Sequence, residues 1–332
     1  MSPNPVDDVE VGDTMSDVAR ANGVPTSARA KWARGAVVMA FLVLVIAWAR
    51  TLALRAVLSA VVPALVWAPN HGRTIVPVPG ELRIDVGPPA ASLAVALIEP
   101  HLSVRGTVFV LHGIRDSKES VRAWGERLAS AGYRAVLVDL RGHGRSSGTF
   151  LSYGVVESRD LAQVLDAIDS RGLRTGSVGV MGLSYGAATA IEWAAIDSRV
   201  EAVVAVAPFA SLRSVVPGYV PIQLPSFFIN RCIDVAAKVA GFDPDRASPA
   251  EVIRNTRAPL LLIHGQSDDR IPFWHSKLIA AAAVGPVELV VVPSADHGSI
   301  AADASGVVSE RATEWFDRHF TTTSSRDASS GE

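Results

Sequence analysis

The 332-residue sequence has a single cysteine, Cys232, and few charged residues. One cysteine cannot form an intramolecular disulfide, and it excludes a zinc site built from several cysteine ligands. Charged residues make up 19% of the chain and the formal net charge is -2, so no basic surface for nucleic acid is indicated. Hydrophobic residues, by contrast, make up 49%. This is enough for a large core and excludes wholesale disorder.

Part of this apolar material is concentrated near the N-terminus, within residues 31–70. The stretch Gly35–Ala49 carries no charge, and its continuation to Leu54 brings it close to the ~30 Å thickness of a hydrocarbon core. We therefore predict a single-pass membrane anchor over residues 31–70. A signal peptide cleaved after the small-residue site Ala47–Ala49 and a buried core helix are the alternatives.

Basic residues around this stretch predict its orientation. More of them precede the stretch (Arg20, Arg29, Lys31 and Arg34) than follow it (Arg50 and Arg55). The positive-inside rule then predicts a cytoplasmic N-terminus and a main domain on the extracytoplasmic side of the membrane.

Residues 71–320 alternate short β-branched runs with amphipathic helical stretches. Runs such as Thr107–Leu111 and Ser177–Met181 are continuously apolar, which is typical of parallel strands buried on both faces. Ahead of them, Glu81–Val86 and Ser92–Ile98 flank a Gly-Pro-Pro turn and predict an antiparallel hairpin at the sheet edge. We predict an α/β fold with a mostly parallel, doubly wound sheet.

Three segments fall outside this alternation. Residues 1–30 and 321–332 have no hydrophobic period and are predicted to be disordered tails. Residues 209–257 form a long connection with an apolar section, and connections of this length in a compact domain are usually functional. We interpret it as a small cap over the carboxyl ends of the strands, with a helical insertion that packs its own small core as the alternative.

The strongest chemical signal is Gly182–Gly186, with the sequence Gly-Leu-Ser-Tyr-Gly, between a predicted strand and a predicted helix. Glycines two positions before and after Ser184 allow a tight strand-to-helix turn. Such a turn exposes the serine hydroxyl and directs a helix N-terminus at it, so that backbone N–H groups can stabilise an oxyanion. Ser184 is therefore the predicted nucleophile.

A serine hydroxyl needs a base, and the base needs an acid to orient it. His297 follows the last predicted strand, Val287–Val292, at the sheet edge where Ser184 is expected. Two neighbouring carboxylates, Asp268 and Asp269, follow the strand before it. Asp268 is the predicted third member because of its spacing from the preceding glycine and the following proline, and exchanged roles for the two aspartates are the alternative.

The order serine, aspartate, histidine is that of the α/β-hydrolases, and over roughly residues 74–320 the sequence resembles this superfamily, within its group of serine esterases, lipases and acyl-peptidase-like enzymes. Two further motifs carry the resemblance, Leu111–Ile114 after the first parallel strand and Asp139–Ser146 after the second. The resemblance implies an oxyanion hole formed by the backbone N–H groups of Ile114 and Tyr185. It implies no cofactor.

Departures from narrower families limit the function. The sequence has no His-Gly-Gly-Gly run, which disfavours the lipase and esterase branch with that loop. Serine at the nucleophile position argues against epoxide hydrolases, dehalogenases and dienelactone chemistry. We predict a serine hydrolase that cleaves a small-molecule carboxylic ester through an acyl-enzyme. A peptidase or amidase acting on short or acylated peptides and a non-catalytic, membrane-tethered scaffold are the alternatives.

Two pairs of residues near the predicted site receive structural interpretations. His112 and His264 each stand at a strand end before a glycine and are expected to make structural hydrogen bonds. Arg115 and Asp116 are expected to form a salt-linked loop, with contact to the substrate as the alternative.

Overall fold

An eight-stranded, mostly parallel β-sheet organises the larger part of the chain in a computed structural model of the protein. The spatial order of the strands is β1-β2-β4-β3-β5-β6-β7-β8, and only the β1–β2 and β2–β4 pairs are antiparallel. The strands are β1 (Leu82–Val86), β2 (Ala91–Ile98), β3 (Gly106–Leu111), β4 (Tyr133–Val138), β5 (Ser177–Leu183), β6 (Val200–Val206), β7 (Leu260–Gly265) and β8 (Val287–Val292).

The structure describes residues 26–76, 78–79, 81–101, 103–220 and 224–320. Within the first helix it describes side chains from residue 36 onward, apart from residues 49–50, 53–54, 56–57 and 60. The chain divides into two compact units, Met1–Val57 and Leu58–Glu332. The predicted C-terminal tail lies outside the described residues, as does most of the predicted N-terminal tail.

The central strands are buried because they pack against helices on both faces. Neighbouring residues of β3 alternate between two apolar cores: Phe109 belongs to one core and Val108 to the other, as the two-residue period of a strand requires. Every residue of β3 and β5 is buried. This confirms the predicted α/β fold with a mostly parallel sheet covered on both sides.

Ten α-helices accompany the strands in the described part of the chain. They are α1 (Thr26–Val66), α2 (Arg122–Ser130), α3 (Glu157–Ser170), α4 (Tyr185–Ile196), α5 (Leu212–Val215), α6 (Ser226–Ala240), α7 (Pro249–Val252), α8 (Trp274–Ala282), α9 (His297–Ala302) and α10 (Val307–His319). Helices α3, α4 and α8 contribute buried residues to one core, and α2, α9 and α10 contribute to the other. The predicted edge hairpin is present, with Leu82 paired to Val95 and Val86 paired to Ala91.

Helix α1 begins at Thr26, inside the stretch predicted to be a tail, and ends at Val66. The alanines and basic residues around Lys31 are good helix formers, so the helix extends upstream of the apolar stretch. It also continues through Pro63, which lies within its last turns. In the part of the chain whose residues could be searched, no helix has an apolar stretch long enough to cross a membrane.

The long connection at residues 209–257 forms helices α5, α6 and α7 and two short 3₁₀ helices. Ser211 begins α5 with a reciprocal cap, in which its side chain accepts from the Ser214 backbone and its backbone N–H donates to the Ser214 hydroxyl. Helix α6 buries Cys232 and Ile233, and Gly241 directly after its last residue has the left-handed conformation, in which a glycine is least strained. Residues 209–220 and 224–257 of the connection are therefore largely helical, and its first residue, Phe209, lines the same cavity as the serine turn described next.

Candidate active site

Ser184 lies on a strained turn between β5 and α4. Its backbone has φ +53° and ψ -108°, a conformation that costs a non-glycine residue energy and is concentrated at functional sites. Glycines are required on both sides of Ser184 because the turn leaves no room for a Cβ atom. A Cβ on Gly182 would lie 2.3 Å from the carbonyl oxygen of Gly186, and a Cβ on Gly186 would lie 2.6 Å from the carbonyl oxygen of His112. The predicted strand–turn–helix arrangement around the serine is present.

His297 and Asp268 form a close pair. The imidazole Nδ1 lies 2.6 Å from the Asp268 Oδ2, so it donates to the carboxylate and leaves Nε2 available as a proton acceptor. His297 is the first residue of α9, at the end of the loop after β8. Asp269, the alternative to Asp268, is exposed and makes no such contact among the described residues.

The Asp268 carboxylate is held in its charged form. Burial raises the pKa of this carboxyl, but hydrogen bonds from His264, His297 and the backbone N–H of Ile271 outweigh burial and hold the pKa well below its usual value. The Ile271 N–H lies 2.8 Å from Oδ1. Asp268 therefore remains negative and can stabilise an imidazolium at His297.

His264 is a second imidazole behind this carboxylate, and no residue pattern singles out its link to Asp268. Its ring is fully buried, with Nε2 2.7 Å from the Ile271 carbonyl oxygen and 3.5 Å from the Asp268 Oδ2. Its Nδ1 lies 2.6 Å from the Ser276 hydroxyl. The expected structural hydrogen bonds are present, and they also orient the loop that carries Asp268.

Ser184 and His297 follow different strands of one parallel sheet, β5 and β8, and so lie at the same, carboxyl-terminal edge. Among the described residues no hydrogen bond joins the two side chains directly. Such contacts are often long in the absence of substrate and close when it binds. The edge thus carries a strained serine and an oriented imidazole–carboxylate pair.

The predicted oxyanion donors are the backbone N–H groups of Ile114 and Tyr185, which follow the neighbouring strands β3 and β5. Tyr185 is the first residue of α4, where N–H groups have no partner within the helix, and Ile114 follows His112-Gly113 after β3. In the described part of the chain neither N–H donates to a protein acceptor. N–H groups without a protein acceptor can bind the oxygen of a tetrahedral intermediate when they face it.

His112 fixes the loop that carries Ile114. Its Nδ1 lies 2.7 Å from the Gly113 carbonyl oxygen, and its Nε2 accepts from the backbone N–H of Leu140 at 3.0 Å. Burial lowers the pKa of this imidazole, so it stays neutral with Nδ1 as the donor. This is the structural role expected for His112.

Glu157 holds the side chain of Tyr185 from behind and was not singled out by the sequence. The carboxylate is fully buried and accepts from the Tyr185 hydroxyl at 2.8 Å, from the backbone N–H groups of Ser152 and Gly154, both at 3.0 Å, and from the Ser152 hydroxyl. Burial, together with the charge of Glu157, raises the pKa of Tyr185 well above its ordinary value. The available signal was an acidic residue at the start of α3, but acidic residues are common there for helix-dipole reasons.

A cavity of about 340 Å³ opens at Ser184, within the usual size range of small-molecule sites. We call it the Ser184 cavity. Among the described residues its lining is mostly apolar and aromatic, with Arg115 as the single charged side chain: Ala64, Leu65, Ile114, Arg115, Tyr153, Ser184, Tyr185, Phe209, Val215, Val216, Tyr219 and Ile271. Ile271 also donates to Asp268, so the cavity and the aspartate loop are continuous.

The expectation for Arg115 and Asp116 is wrong in part. No ion pair joins them among the described residues. Arg115 instead donates to the carbonyl oxygen of Ala64 at 3.0 Å, and Asp116 accepts from the backbone N–H of Ser117 at 2.8 Å. Arg115 has a left-handed backbone, φ +60°, which turns it away from its sequence neighbour and into the cavity lining.

The described residues contain no group of three or more His, Cys, Asp or Glu side chains arranged to hold a metal ion.

Comparison with known proteins places these features in a family. The sequence model of the prolyl oligopeptidase family (Peptidase_S9) matches residues 119–323. Over 205 residues the chain is 26% identical to the uncharacterized protein YqkD of Bacillus subtilis (strain 168), covering 60% of this chain and 67% of that protein. Over 133 residues it is 34% identical to the putative protein-lysine deacylase ABHD14B of Rattus norvegicus, covering 38% of this chain and 61% of that protein.

Solved structures share the fold. The esterase Pf2001 of Pyrococcus furiosus superposes with a TM-score of 0.59 at 22% identity, covering 75% of this chain and 99% of the esterase. An acylaminoacyl peptidase of Pyrococcus horikoshii superposes with a TM-score of 0.56 at 18% identity, covering 73% of this chain and 42% of the peptidase. The chain spans between three fifths and about two thirds of the two curated relatives named above.

Proposed function

The chain belongs to the prolyl oligopeptidase family and is a serine hydrolase of the α/β-hydrolase superfamily, and on this basis we propose that it cleaves carboxylic esters with an apolar acyl group. The observation that carries the proposal is Ser184, held in a strained turn that lines a cavity with mostly apolar and aromatic walls. An apolar lining favours an acyl chain over a charged peptide segment.

In the proposed mechanism Ser184 is the nucleophile. Its Oγ attacks the ester carbonyl carbon while His297 Nε2 takes the hydroxyl proton. The carbonyl oxygen becomes an oxyanion bound by the N–H groups of Ile114 and Tyr185. The carbon–alkoxide bond then breaks, His297 returns the proton to the leaving alcohol, and the acyl group stays on Ser184.

Water completes the cycle. His297 accepts a proton from a water molecule, whose oxygen attacks the acyl carbon. Collapse of the second intermediate returns the proton to the Ser184 Oγ and releases the carboxylic acid. Asp268 keeps the imidazole in the required tautomer throughout and stabilises its charged form. The segment 209–257, which supplies Phe209, Val215, Val216 and Tyr219 to the cavity lining, acts as its cap.

Hydrolysis of p-nitrophenyl esters from acetate to decanoate tests this proposal. Wild type should hydrolyse several of them, and Ser184→Ala should lose at least about 10³-fold in kcat/KM. A fluorophosphonate probe should label wild type and leave Ser184→Ala unlabelled. Equal rates for the two proteins would contradict the assignment of Ser184. Failure of a folded wild type to react with esters or probe would favour a non-catalytic scaffold.

A peptidase or amidase acting on short or acylated peptides is the second candidate. It is favoured by the family match and by the likeness to an acylaminoacyl peptidase. The same chemistry cleaves both bonds, with an amine as the leaving group in place of an alcohol. A panel of acylated aminoacyl p-nitroanilides separates the two: turnover of amides at rates near those of matched esters would favour the peptidase.

We also propose that residues 31–70 include a membrane anchor, with the hydrolase domain (residues 71–320) on the extracytoplasmic side. Large apolar side chains between Val37 and Trp48 are exposed, and a contiguous apolar surface normally has a partner. The uneven distribution of flanking basic residues supports the orientation. Full-length protein should sediment with membranes and resist alkaline carbonate, and a C-terminal alkaline phosphatase fusion should be active. Release by carbonate would contradict the anchor.

A further inference from the structure

The last turns of α1 take part in the Ser184 cavity although they lie far from the serine in the chain. Ala64 and Leu65 both line the cavity. They belong to the same compact unit as the sheet, Leu58–Glu332. We call these two residues the α1 wall.

Two other residues that line the cavity hold this wall through hydrogen bonds to its backbone carbonyls. The last four carbonyl groups of a helix have no partner within it. Here Arg115 donates to the Ala64 carbonyl at 3.0 Å and the Tyr153 hydroxyl donates to the Leu65 carbonyl at 2.6 Å. Arg115 and Tyr153 also line the cavity. The helix end is thus joined by direct hydrogen bonds to two other residues of the cavity lining.

Apolar packing holds the same turns from the other side. Val62 and Val66 are buried in a cluster with Ala236 of α6, the long helix of the 209–257 connection. Leu65 is partly buried and packs against that cluster as well. The α1 wall therefore lies between the catalytic sheet edge and the cap.

The chain after the helix is also tied down. The Val66 carbonyl accepts from the backbone N–H of Leu151 at 2.8 Å, and the Ala68 N–H donates to the Thr149 carbonyl at 3.1 Å. The Asn70 amide donates to the carbonyls of Gly144 and Ser146 at 2.8 and 3.0 Å. With attachment before, within and after the wall, its position is set by many contacts and does not depend on one.

From this geometry we propose that the α1 wall determines the length of acyl group that the Ser184 cavity accepts, an inference that rests on the proposed esterase function. The wall presents only an alanine methyl and a leucine side chain, and its two carbonyls are already occupied. It therefore offers volume and apolar contact without a polar binding group. A larger side chain at Ala64 shortens the cavity, and a smaller one at Leu65 lengthens it.

The test measures ligand binding in the Ser184→Ala background, where turnover cannot interfere. Sodium butyrate and sodium decanoate are titrated calorimetrically into the full chain carrying Ser184→Ala alone or with Ala64→Trp or Leu65→Ala. Ala64→Trp should weaken decanoate relative to butyrate about tenfold, because several methylenes lose their apolar contacts. Leu65→Ala should shift the preference toward decanoate. Ala281→Trp makes the same change at an exposed alanine of α8 and is the control. It should leave the ratio of decanoate affinity to butyrate affinity unchanged.

The outcomes separate this inference from the proposed function. Folding of each variant is verified by circular dichroism. If the ratio of decanoate affinity to butyrate affinity is unchanged in both wall variants, the proposed role of the α1 wall is wrong. An equal change in the Ala281→Trp control would also overturn it. If the ratio shifts as expected while wild type hydrolyses no ester, the wall stands and the esterase proposal fails. In an active enzyme the same variants should shift the optimal p-nitrophenyl ester to shorter and longer chains, respectively.

Discussion

The catalytic edge, which carries Ser184, Asp268 and His297, and the lining of the Ser184 cavity are neighbours built in different ways. At the catalytic edge each group follows the end of a parallel strand and is held by short hydrogen bonds, such as the 2.6 Å contact between His297 and Asp268. The cavity lining, apart from Ser184 and Tyr185, instead combines side chains from α1, the connections after β3, β4 and β7, and residues 209–257.

This difference corresponds to two tasks of the proposed enzyme, catalysis at the sheet edge and selection of the acyl group in the cavity. Proton transfer and attack on a carbonyl depend on geometry to within a fraction of an ångström, which backbone turns and buried polar contacts supply. Selection of an acyl group depends on volume, which apolar side chains can alter with modest losses. We therefore expect substitutions at the catalytic edge to cost rate or stability, and substitutions in the lining to change selectivity.

The sharpest test of the catalytic edge compares its two adjacent aspartates. Asp268→Asn should lower kcat by about 10⁴-fold, because an amide favours the wrong imidazole tautomer. Asp269→Asn, at an exposed position one residue away, should change kcat little. Steady-state kinetics on the best p-nitrophenyl ester measures both. A loss confined to Asp269→Asn would assign the acid to Asp269, and equal losses would contradict a role for Asp268 alone.

The space requirement of the serine turn predicts the next largest effect. Gly186→Ala places a Cβ 2.6 Å from the His112 carbonyl oxygen, and relief requires movement of backbone. We expect a loss of about 3 kcal/mol in the free energy of unfolding, or failure to fold. Gly298→Ala is the control, since its Cβ would meet no atom closer than 3.6 Å. Urea unfolding, followed by circular dichroism, measures the stability of both variants. Equal stabilities would contradict the tight turn.

The contact between Glu157 and Tyr185, behind the proposed oxyanion hole, should contribute less to the free energy of unfolding. Tyr185→Phe leaves Glu157 with its remaining donors, and Glu157→Gln places an amide among them; each should destabilise by about 2 kcal/mol. Because the two side chains touch, the double variant should be less destabilised than the sum of the singles. If the stability loss of the double variant equals the sum of the losses of the two single variants, the 2.8 Å contact contributes nothing to the free energy of unfolding. For Tyr185→Phe, kcat should fall less than tenfold, since the proposed oxyanion donor is the backbone N–H.

The smallest expected effect is the pH dependence of stability that arises from His275, which contacts the start of the 209–257 connection. Burial lowers the pKa of His275 to about 4, and its Nδ1 accepts from the Ala210 backbone N–H at 3.1 Å. Between about pH 6.5 and 4 the unfolded histidine binds a proton that the folded one excludes, so the free energy of unfolding falls as pH is lowered through this window. The slope from this group is at most about 1.4 kcal/mol per pH unit. His275→Gln should flatten the profile; a slope unchanged from wild type would assign it to other groups.

Much of the catalytic edge could be predicted from the sequence because its signals are local. The glycines around Ser184 report a turn that needs them, and the spacing of Asp268 from Gly265 and Pro272 favours it over Asp269. Parallel strands bring their carboxyl ends to one edge, which is why residues far apart in sequence could be expected to lie together. The roles assigned to these residues stay predictions until the substitutions are made.

Other features could not be predicted, since they depend on contacts between distant segments. Glu157 looks like an ordinary acidic residue of a first helical turn, and its partners at Ser152 and Tyr185 become visible only when α3 and α4 pack together. Arg115 was expected to pair with its neighbour Asp116, but its partner is a carbonyl of α1. An apolar N-terminal helix gives no sign in its sequence that its last turn contributes to a substrate cavity.

Patterns within the sequence were enough to predict the alternation of strands and helices, the position of the serine turn and the order of the proposed catalytic residues. These follow from conformational preferences and patterns that act over a few residues. Three contacts became known from the folded chain alone: Asp268 is the carboxylate that meets His297, Glu157 accepts from Tyr185, and Ala64 and Leu65 line the cavity. These contacts depend on how helices and loops separated by many residues pack on the sheet. That packing is set by the summed burial of apolar surface over the whole domain, and no local pattern encodes it.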